Sequence, residues 1–273
     1  MSSKPHNRPV ANSPWQQRIR RAERLATEHS FVAEILNFYV HVARFQESLY
    51  QRIEHSGDRE SSDCRQDAGA TNPKLLASFP SFLSLVEEKA PAPLAQVAAT
   101  LRASSSNSWS ELLQHCWTNL NSPTAPEEFL SLAFLQPYAE SVRSHAPMLP
   151  EGYTLALCPF CNRKPGLGVL RQQGDGGLRS LLCGFCLTEW KFRRIICPGC
   201  GEENHAKLPV YTAEAFPHIR VECCDSCQTY IKSVDFTKNG LADTLVDELA
   251  SVPLDLWAQE KGYAKLRPNL LGM

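Results

Sequence analysis

The chain has 273 residues, 43% of them hydrophobic and 21% charged, which is enough apolar material for a genuine core. That length suggests roughly two domains at ~150 residues each. With 28 Lys and Arg against 29 Asp and Glu, the net charge of -1 supplies no general attraction to nucleic acid or to an anionic membrane surface. No apolar run approaches the ~20 residues a bilayer-spanning helix needs. Arg20-Arg21 is followed by Ala22-Glu23-Arg24 and not by an apolar stretch, so the chain reads as cytoplasmic, not exported.

In chain order, residues 1–14 are polar and Pro-containing and are expected to be disordered. From Trp15 to about His55 the spacing is helical, with Ile19, Ala22, Leu25 and Ala26 on one face. After a break near His29-Ser30 the stripe resumes with Phe31, Ile35, Phe38, Val42, Phe45 and Leu49. Residues 56–73 are rich in Ser, Asp and Gly and read as a linker. Helical segments then follow at about 74–90, 93–103, 108–120 and 126–145, separated by Pro or Ser clusters. Residues 15–150 thus form an expected all-α domain.

The texture changes after Pro150. Short β-rich runs, Tyr153–Leu157, Gly168–Leu170, Leu178–Leu182, Lys191–Ile196 and Ile219–Glu222, alternate with four Cys-x-x-Cys pairs. The pairs are Cys158/Cys161, Cys183/Cys186, Cys197/Cys200 and Cys224/Cys227. Each such turn brings two sulfurs to one point, and two turns complete a tetrahedral four-thiolate site. Four turns make two sites, each for one metal ion. The intervening stretches, 162–182 and 201–223, are nearly equal at 21 and 23 residues, long enough for one hairpin each. Sequential pairing is therefore the simpler topology, with a cross-braced arrangement still open. Residues 151–240 read as a duplicated four-cysteine region of rubredoxin or zinc-ribbon type, and 241–273 as a C-terminal helix and tail. The fold class expected is α+β, a helical domain followed by two small metal modules and a final helix.

Tetrahedral sulfur ligation suits zinc and a single iron alike, so both remain open. Cys197-Pro-Gly-Cys200-Gly201 has the rubredoxin form, whereas the other knuckles are followed by Asn162, Leu187 and Gln228. His205 and His218 could substitute as ligands, and Cys223 competes with Cys224. Cys64 and Cys116 read as ordinary thiols. Arg163, Lys164, Arg171, Arg179, Lys191, Arg193 and Arg194 crowd the same stretch and read as charge balance for two anionic sites. Trp190 reads as core. Asp243, Asp247 and Glu248 read as an acidic helical face, either solvated or turned to a partner. No phosphate-cradling loop or Ser/His/Asp grouping is evident in the sequence. A zinc-ribbon nucleic-acid binder and a thiol redox protein are the alternatives. The first lacks a strongly basic charge, and the second lacks the βαβ setting of a redox Cys pair.

Several stretches resemble the formate dehydrogenase accessory proteins, the FdhE family. They are Gly177-Leu178-Arg179 through Cys183-Gly-Phe-Cys186-Leu-Thr-Glu189-Trp190, Arg194-Ile-Ile-Cys197-Pro-Gly-Cys200, and Glu222-Cys223-Cys224-Asp225-Ser226-Cys227 through Lys232. Phe134-Leu135-Gln136-Pro137-Tyr138-Ala139 and the tail from Leu241 to Tyr263 resemble that family too. The resemblance implies a cytoplasmic maturation factor, not an enzyme, that binds the molybdenum- or tungsten-containing iron–sulfur catalytic subunit of formate dehydrogenase. It also implies two rubredoxin-like iron or zinc sites on the eight paired cysteines. No nucleic-acid or membrane partner is expected, and a homodimer is compatible with it. The stretches around Gln136-Pro137-Tyr138 and Asp243–Asp255, which flank the cysteines, are the expected client surface.

Overall fold

A computed structural model describes residues 13–56, 72–123, 125–147, 149, 151–174, 176–269 and 272. Residues 1–12 of the expected disordered N-terminus, nearly all of the expected linker and Cys64 lie outside these residues, whereas Ser13 and Pro14 are ordered as the cap and first residue of a helix.

Helix α1 (Pro14–Glu28) starts where Ser13 accepts a hydrogen bond from the Gln16 N–H and Pro14 fills the first helical position. It buries Trp15, Ile19, Ala22 and Leu25 against α2 (Ala33–Ser56). A single 3-10 turn at Ser30–Val32 makes the break expected near His29-Ser30. Short α3 (Pro73–Leu76) is capped by Asn72; α4 (Phe79–Lys89), α5 (Ala92–Arg102) and α6 (Ser106–Thr118) follow at the expected places.

Helix α7 (Pro126–Ser144) is the spine of the helical part. It is apolar around most of its circumference, so it is buried on all sides and not on one stripe. Phe79, Phe82 and Phe134 meet at its centre, with the Phe79 and Phe134 rings 4.8 Å apart. Pro137 stands inside this helix and has no N–H to give to Ala133. The orphaned Ala133 carbonyl instead accepts a 2.6 Å hydrogen bond from the buried Gln46 Nε2 of α2. That explains why a Gln-Pro pair is tolerated in mid-helix.

Among the described residues, seven strands form one sheet: β1 (Leu167–Gln173), β2 (Gly176–Leu182), β3 (Glu189–Lys191), β4 (Val210–Ala213), β5 (Phe216–Cys224), β6 (Thr229–Asp235) and β7 (Ala264–Lys265). The order is β3-β2-β1-β6-β5-β4, with β7 parallel to β6. This is the same three-strand sheet laid down twice. In each half a hairpin runs between two Cys turns, and a third strand follows the second turn. The halves join where β1 lies parallel to β6. At that seam Gly168 faces Ser233, and a Cβ on Gly168 would fall 1.9 Å from the Ser233 hydroxyl, so the strands can approach only with glycine there.

Two expected strands are corrected. Tyr153–Leu157 is an extended loop, and Lys191–Ile196 pairs only at its first residue. Conversely, β6 was not evident because Lys232 and Asp235 interrupt its apolar pattern. Both are buried and ion-paired.

Helices α8 (Thr244–Ala250) and α9 (Val252–Glu260) follow the sheet, with Pro253 in the first turn of α9. The acidic face expected here is corrected in part: Asp247 and Glu248 are each only 2% exposed. Asp247 is bound by Arg21 and, at 2.7 Å, by His218. Glu248 and Asp255 close on Lys232 and Lys265, two cations and two carboxylates in one buried cluster. Asp243 caps α8 and stays partly exposed. Gln136, Pro137 and Tyr138 are buried as well, so neither stretch is an open docking surface. Among the described residues, no helix is long and apolar enough to cross a membrane.

Candidate metal centres

The eight paired cysteines converge on two points. Cys158, Cys161, Cys183 and Cys186 form one group and Cys197, Cys200, Cys224 and Cys227 the other, with the ligand atoms of each group within 4.8 Å of one another. This is the sequential pairing, not the cross-braced one. Neighbouring sulfurs lie 3.4–3.7 Å apart in both groups. A disulfide would need ~2.05 Å. A tetrahedron of metal–sulfur bonds of ~2.3 Å has edges of ~3.8 Å, so the donor set fits one tetrahedral ion in each group.

One local turn recurs through the knuckles. The N–H of the residue after the second cysteine bonds to the carbonyl of the first, Asn162 to Cys158, Leu187 to Cys183 and Gly201 to Cys197, at 2.9–3.2 Å. Asn162, Leu187, Gly201 and Gln228 all stand at positive φ, between 53° and 81°. The rubredoxin-like backbone is therefore present at every knuckle, including the three that lack the expected glycine. Backbone N–H groups also point at sulfur, Cys161 toward Cys158 at 3.5 Å and Gly199 toward Cys197 at 3.2 Å. The second turn of each group has the form Cys-x-x-Cys-x-Thr, and the threonine hydroxyl is hydrogen-bonded to the last sulfur. Thr188 reaches Cys186 at 3.1 Å and Thr229 reaches Cys227 at 3.0 Å. This recurring threonine, visible in the sequence as a repeated spacing, was missed there.

The surroundings differ. All four cysteines of the first group are buried, and they belong to the same apolar core as α4, α6 and α7. Gln136 donates to the Gly184 carbonyl and Arg143 to the Thr188 hydroxyl. The Phe185 ring meets Trp117 edge-on, and the Arg163 guanidinium lies over the Phe185 ring at 4.2 Å. Arg163 also donates to the Cys116 and Trp117 carbonyls near the end of α6, where a cation suits the helix dipole. Hydrogen bonds from Cys158, Cys183 and Cys186, aided by Arg163, hold the Cys161 thiol well below its ordinary range, while Cys183 is pushed well above it. Four thiols at this spacing cannot all ionise without a cation among them.

In the second group Cys200 is exposed and Cys227 half-buried. Burial pushes the Cys197 thiol up to about 12. Cys223 is not a member of the group and packs with Leu254 and Ala258 of α9, its thiol likewise pushed up to about 12 by burial. Cys116 is a buried core thiol, also pushed up to about 12 by burial. His205 is exposed and His218 is held by Asp247, so neither histidine joins a group.

The basic residues are corrected in part. Arg171, Arg179 and Arg193 spend their charge on Glu189, Glu222 and Glu203. Of the seven, Arg163 is the one that acts on a cysteine group among the described residues. A cation from elsewhere, Arg267 of the tail, interacts with Cys183 and Cys161. Trp190 is core, and its indole N–H donates to the Leu155 carbonyl.

Comparison with known proteins places this architecture. Residues 157–194 match the family model described as FdhE, central domain, and 195–271 the one described as FdhE, C-terminal domain. The boundary between them falls between the two cysteine groups. A protein FdhE homolog of Aquifex aeolicus is 29% identical over 251 residues, covering 88% of each chain. One from Pectobacterium atrosepticum is 28% identical over 272 residues, covering 94% of this chain and 86% of that one. The crystal structure of the FdhE protein from Pseudomonas aeruginosa superposes with a TM-score of 0.69 at 25% identity and covers 98% of both chains. Fold, paired cysteine turns and these likenesses agree: the chain is similar to FdhE proteins along nearly its whole length, and its residues 157–271 match the FdhE central and C-terminal domains.

Proposed function

We propose that this protein is a cytoplasmic accessory factor for the maturation of a formate dehydrogenase, and that it binds the molybdenum- or tungsten-containing catalytic subunit without being an enzyme itself. The match of residues 157–271 to the FdhE central and C-terminal domains, with the likeness of the whole fold to an FdhE protein, supports this reading. We further propose that Cys158, Cys161, Cys183 and Cys186 hold one ion and Cys197, Cys200, Cys224 and Cys227 a second. The sulfur spacing and the N–H and O–H groups hydrogen-bonded to sulfur support that ligand set, and they suit iron and zinc equally. Four thiolates around a divalent ion leave a net charge near -2, which Arg163 and Arg267 offset at the first group.

The test is copurification from the native host, with and without the catalytic subunit's gene. The expected result is a complex of this chain with that subunit, and loss of formate dehydrogenase activity when the chain is deleted. Full activity in the deletion strain would overturn the reading. Metal analysis of the same native preparation should return about two ions per chain. Iron would redden on oxidation through thiolate charge transfer; zinc would stay colourless.

A further inference from the structure

We propose that the two centres differ in kind: the first is a locked structural centre, and the second is an exchange site whose metal passes to an external thiolate-bearing ligand. This rests on the reading that the eight cysteines hold two ions. The two groups share one backbone turn and one sulfur geometry, so any difference in behaviour comes from what surrounds them.

Three observations separate them. The first group has no exposed member, whereas the second shows Cys200 to solvent and half-shows Cys227. The hollows beside them differ in size by more than tenfold. The one touching Gly184 and Phe185 of the first group holds about 20 Å³, room for about one water molecule. The one walled by Cys197, Cys223 and Cys224 holds about 370 Å³, in the range that takes a small ligand. Its rim includes the exposed Ile195 and Val210, so it opens outward. Finally, two buried arginines, Arg163 and Arg267, interact with thiols of the first group, while Arg194 and His205 stand on the rim of the second group's cavity. Positive charge is locked inward at one centre and faces an arriving anion at the other.

Exchange needs no electron transfer. With an ion held by the four sulfurs, Cys200 is the exposed ligand that an incoming thiolate would replace, one metal–sulfur bond forming as the other breaks, and the released Cys200 thiolate would take a proton from solvent. At the first centre all four cysteines are buried in the core they share with the helices, so release there is tied to opening of that core.

Zinc-loaded full-length protein mixed with excess 4-(2-pyridylazo)resorcinol tests this, with metal release followed by absorbance and folding by far-UV circular dichroism. One equivalent should leave at least about tenfold faster than the other, with helical content unchanged during the fast phase. Cys200→Ser should accelerate the fast phase, because one of its four thiolate bonds is gone, and leave the slow one unaltered; a fast phase that Cys200→Ser leaves unchanged would overturn the proposal. Equal rates, or a fast phase accompanied by loss of helix, would overturn the proposal. So would a slow phase changed by Cys200→Ser. A chain that binds other than two ions fails the underlying ligand reading instead, and total metal content reports that separately before any kinetics.

Discussion

The two cysteine modules are copies in backbone and opposites in setting. Each has a hairpin between two knuckles, a strand after the second, and a threonine bonded to the last sulfur. At equivalent places in the second knuckle, however, the first module carries Phe185, 2% exposed against Trp117, and the second carries the exposed Ser226, bonded to Glu202 at 2.5 Å. The attachments to the rest of the molecule also differ. The first module is tied by aromatic packing to α6 and α7. The second is tied by the Lys232–Glu248–Asp255–Lys265 cluster and by Tyr230, which donates to Asp255 at 2.8 Å. A duplicated metal module can thus become the centre of a core in one copy and stay a surface ribbon in the other, through side chains between and beside the ligands alone.

The largest expected effect tests that asymmetry directly. Cys183→Ser removes one of four thiolates from a centre shared with the helical core, and because metal binding is part of folding, cooperative structure should be lost. Cys200→Ser, at the exposed centre, should leave helical content and a cooperative urea transition intact. Circular dichroism and urea titration of the pair decide it. If both variants collapse alike, the modules are not energetically distinct.

Next in size are the charges beneath the second module. Glu248→Gln leaves Lys232 and Lys265 with one carboxylate between them, a loss of about 3–5 kcal/mol near neutral pH by analogy with broken buried pairs. Burial opposes ionisation of Glu248, but Lys232 and Lys265 outweigh it and hold the carboxyl down at about 2, against an ordinary value of 4.5. A depressed acid stabilises the fold fully above its unfolded value and ceases to do so as pH falls through its folded one. The gap between parent and variant should therefore be full above about 5 and narrow between 4.5 and about 2. Urea midpoints across that range measure it. A gap independent of pH would mean that shape, not charge, sets the effect.

How far this organisation was legible depends on where each signal resides. The helices could be read because α1, α2 and α4–α6 carry a stripe, and the ligand groups because Cys-x-x-Cys fixes two sulfurs within one turn. The parallel β1–β6 seam could not, since it joins residues more than sixty apart through the Gly168–Ser233 contact and no local pattern reports it. Asp247 and Glu248 misled for the same reason. Their partners Arg21, His218, Lys232 and Lys265 come from α1, β5, β6 and β7, so a run that looks acidic in sequence is neutral in space. Phe185 and Ser226 were both plain in the sequence, yet what separates them is the presence of Trp117 from α6.

That pair supplies the third test. Phe185→Ala opens a cavity beside Trp117 and Arg163 and should cost about 3 kcal/mol. Ser226→Ala removes one exposed hydrogen bond and should stay within about 0.5 kcal/mol. Equal costs would remove the claim that one copy sits in the core.

The smallest effects probe what the copies share. Gly201 and Gln228 follow the last cysteine of the third and fourth knuckles at φ +81° and +53°. A left-handed backbone costs a residue with a side chain about 1 kcal/mol relative to glycine. Nothing lies within 4 Å of a Cβ added to Gly201, so Gly201→Ala should lose about that amount for conformational reasons alone. Gln228 is exposed, and its side chain makes one hydrogen bond, to the Asp225 carbonyl at 2.7 Å. Replacing it by glycine relieves the backbone but gives up that bond, worth about 0.5 kcal/mol at an exposed position. Gln228→Gly should therefore gain about 0.5 kcal/mol, the opposite sign at the equivalent place. Urea denaturation of the metal-loaded protein resolves differences of this size when the two variants are compared side by side. If both substitutions destabilise, the turn in the fourth knuckle is held by its side chain, and the four knuckles are not one backbone motif repeated.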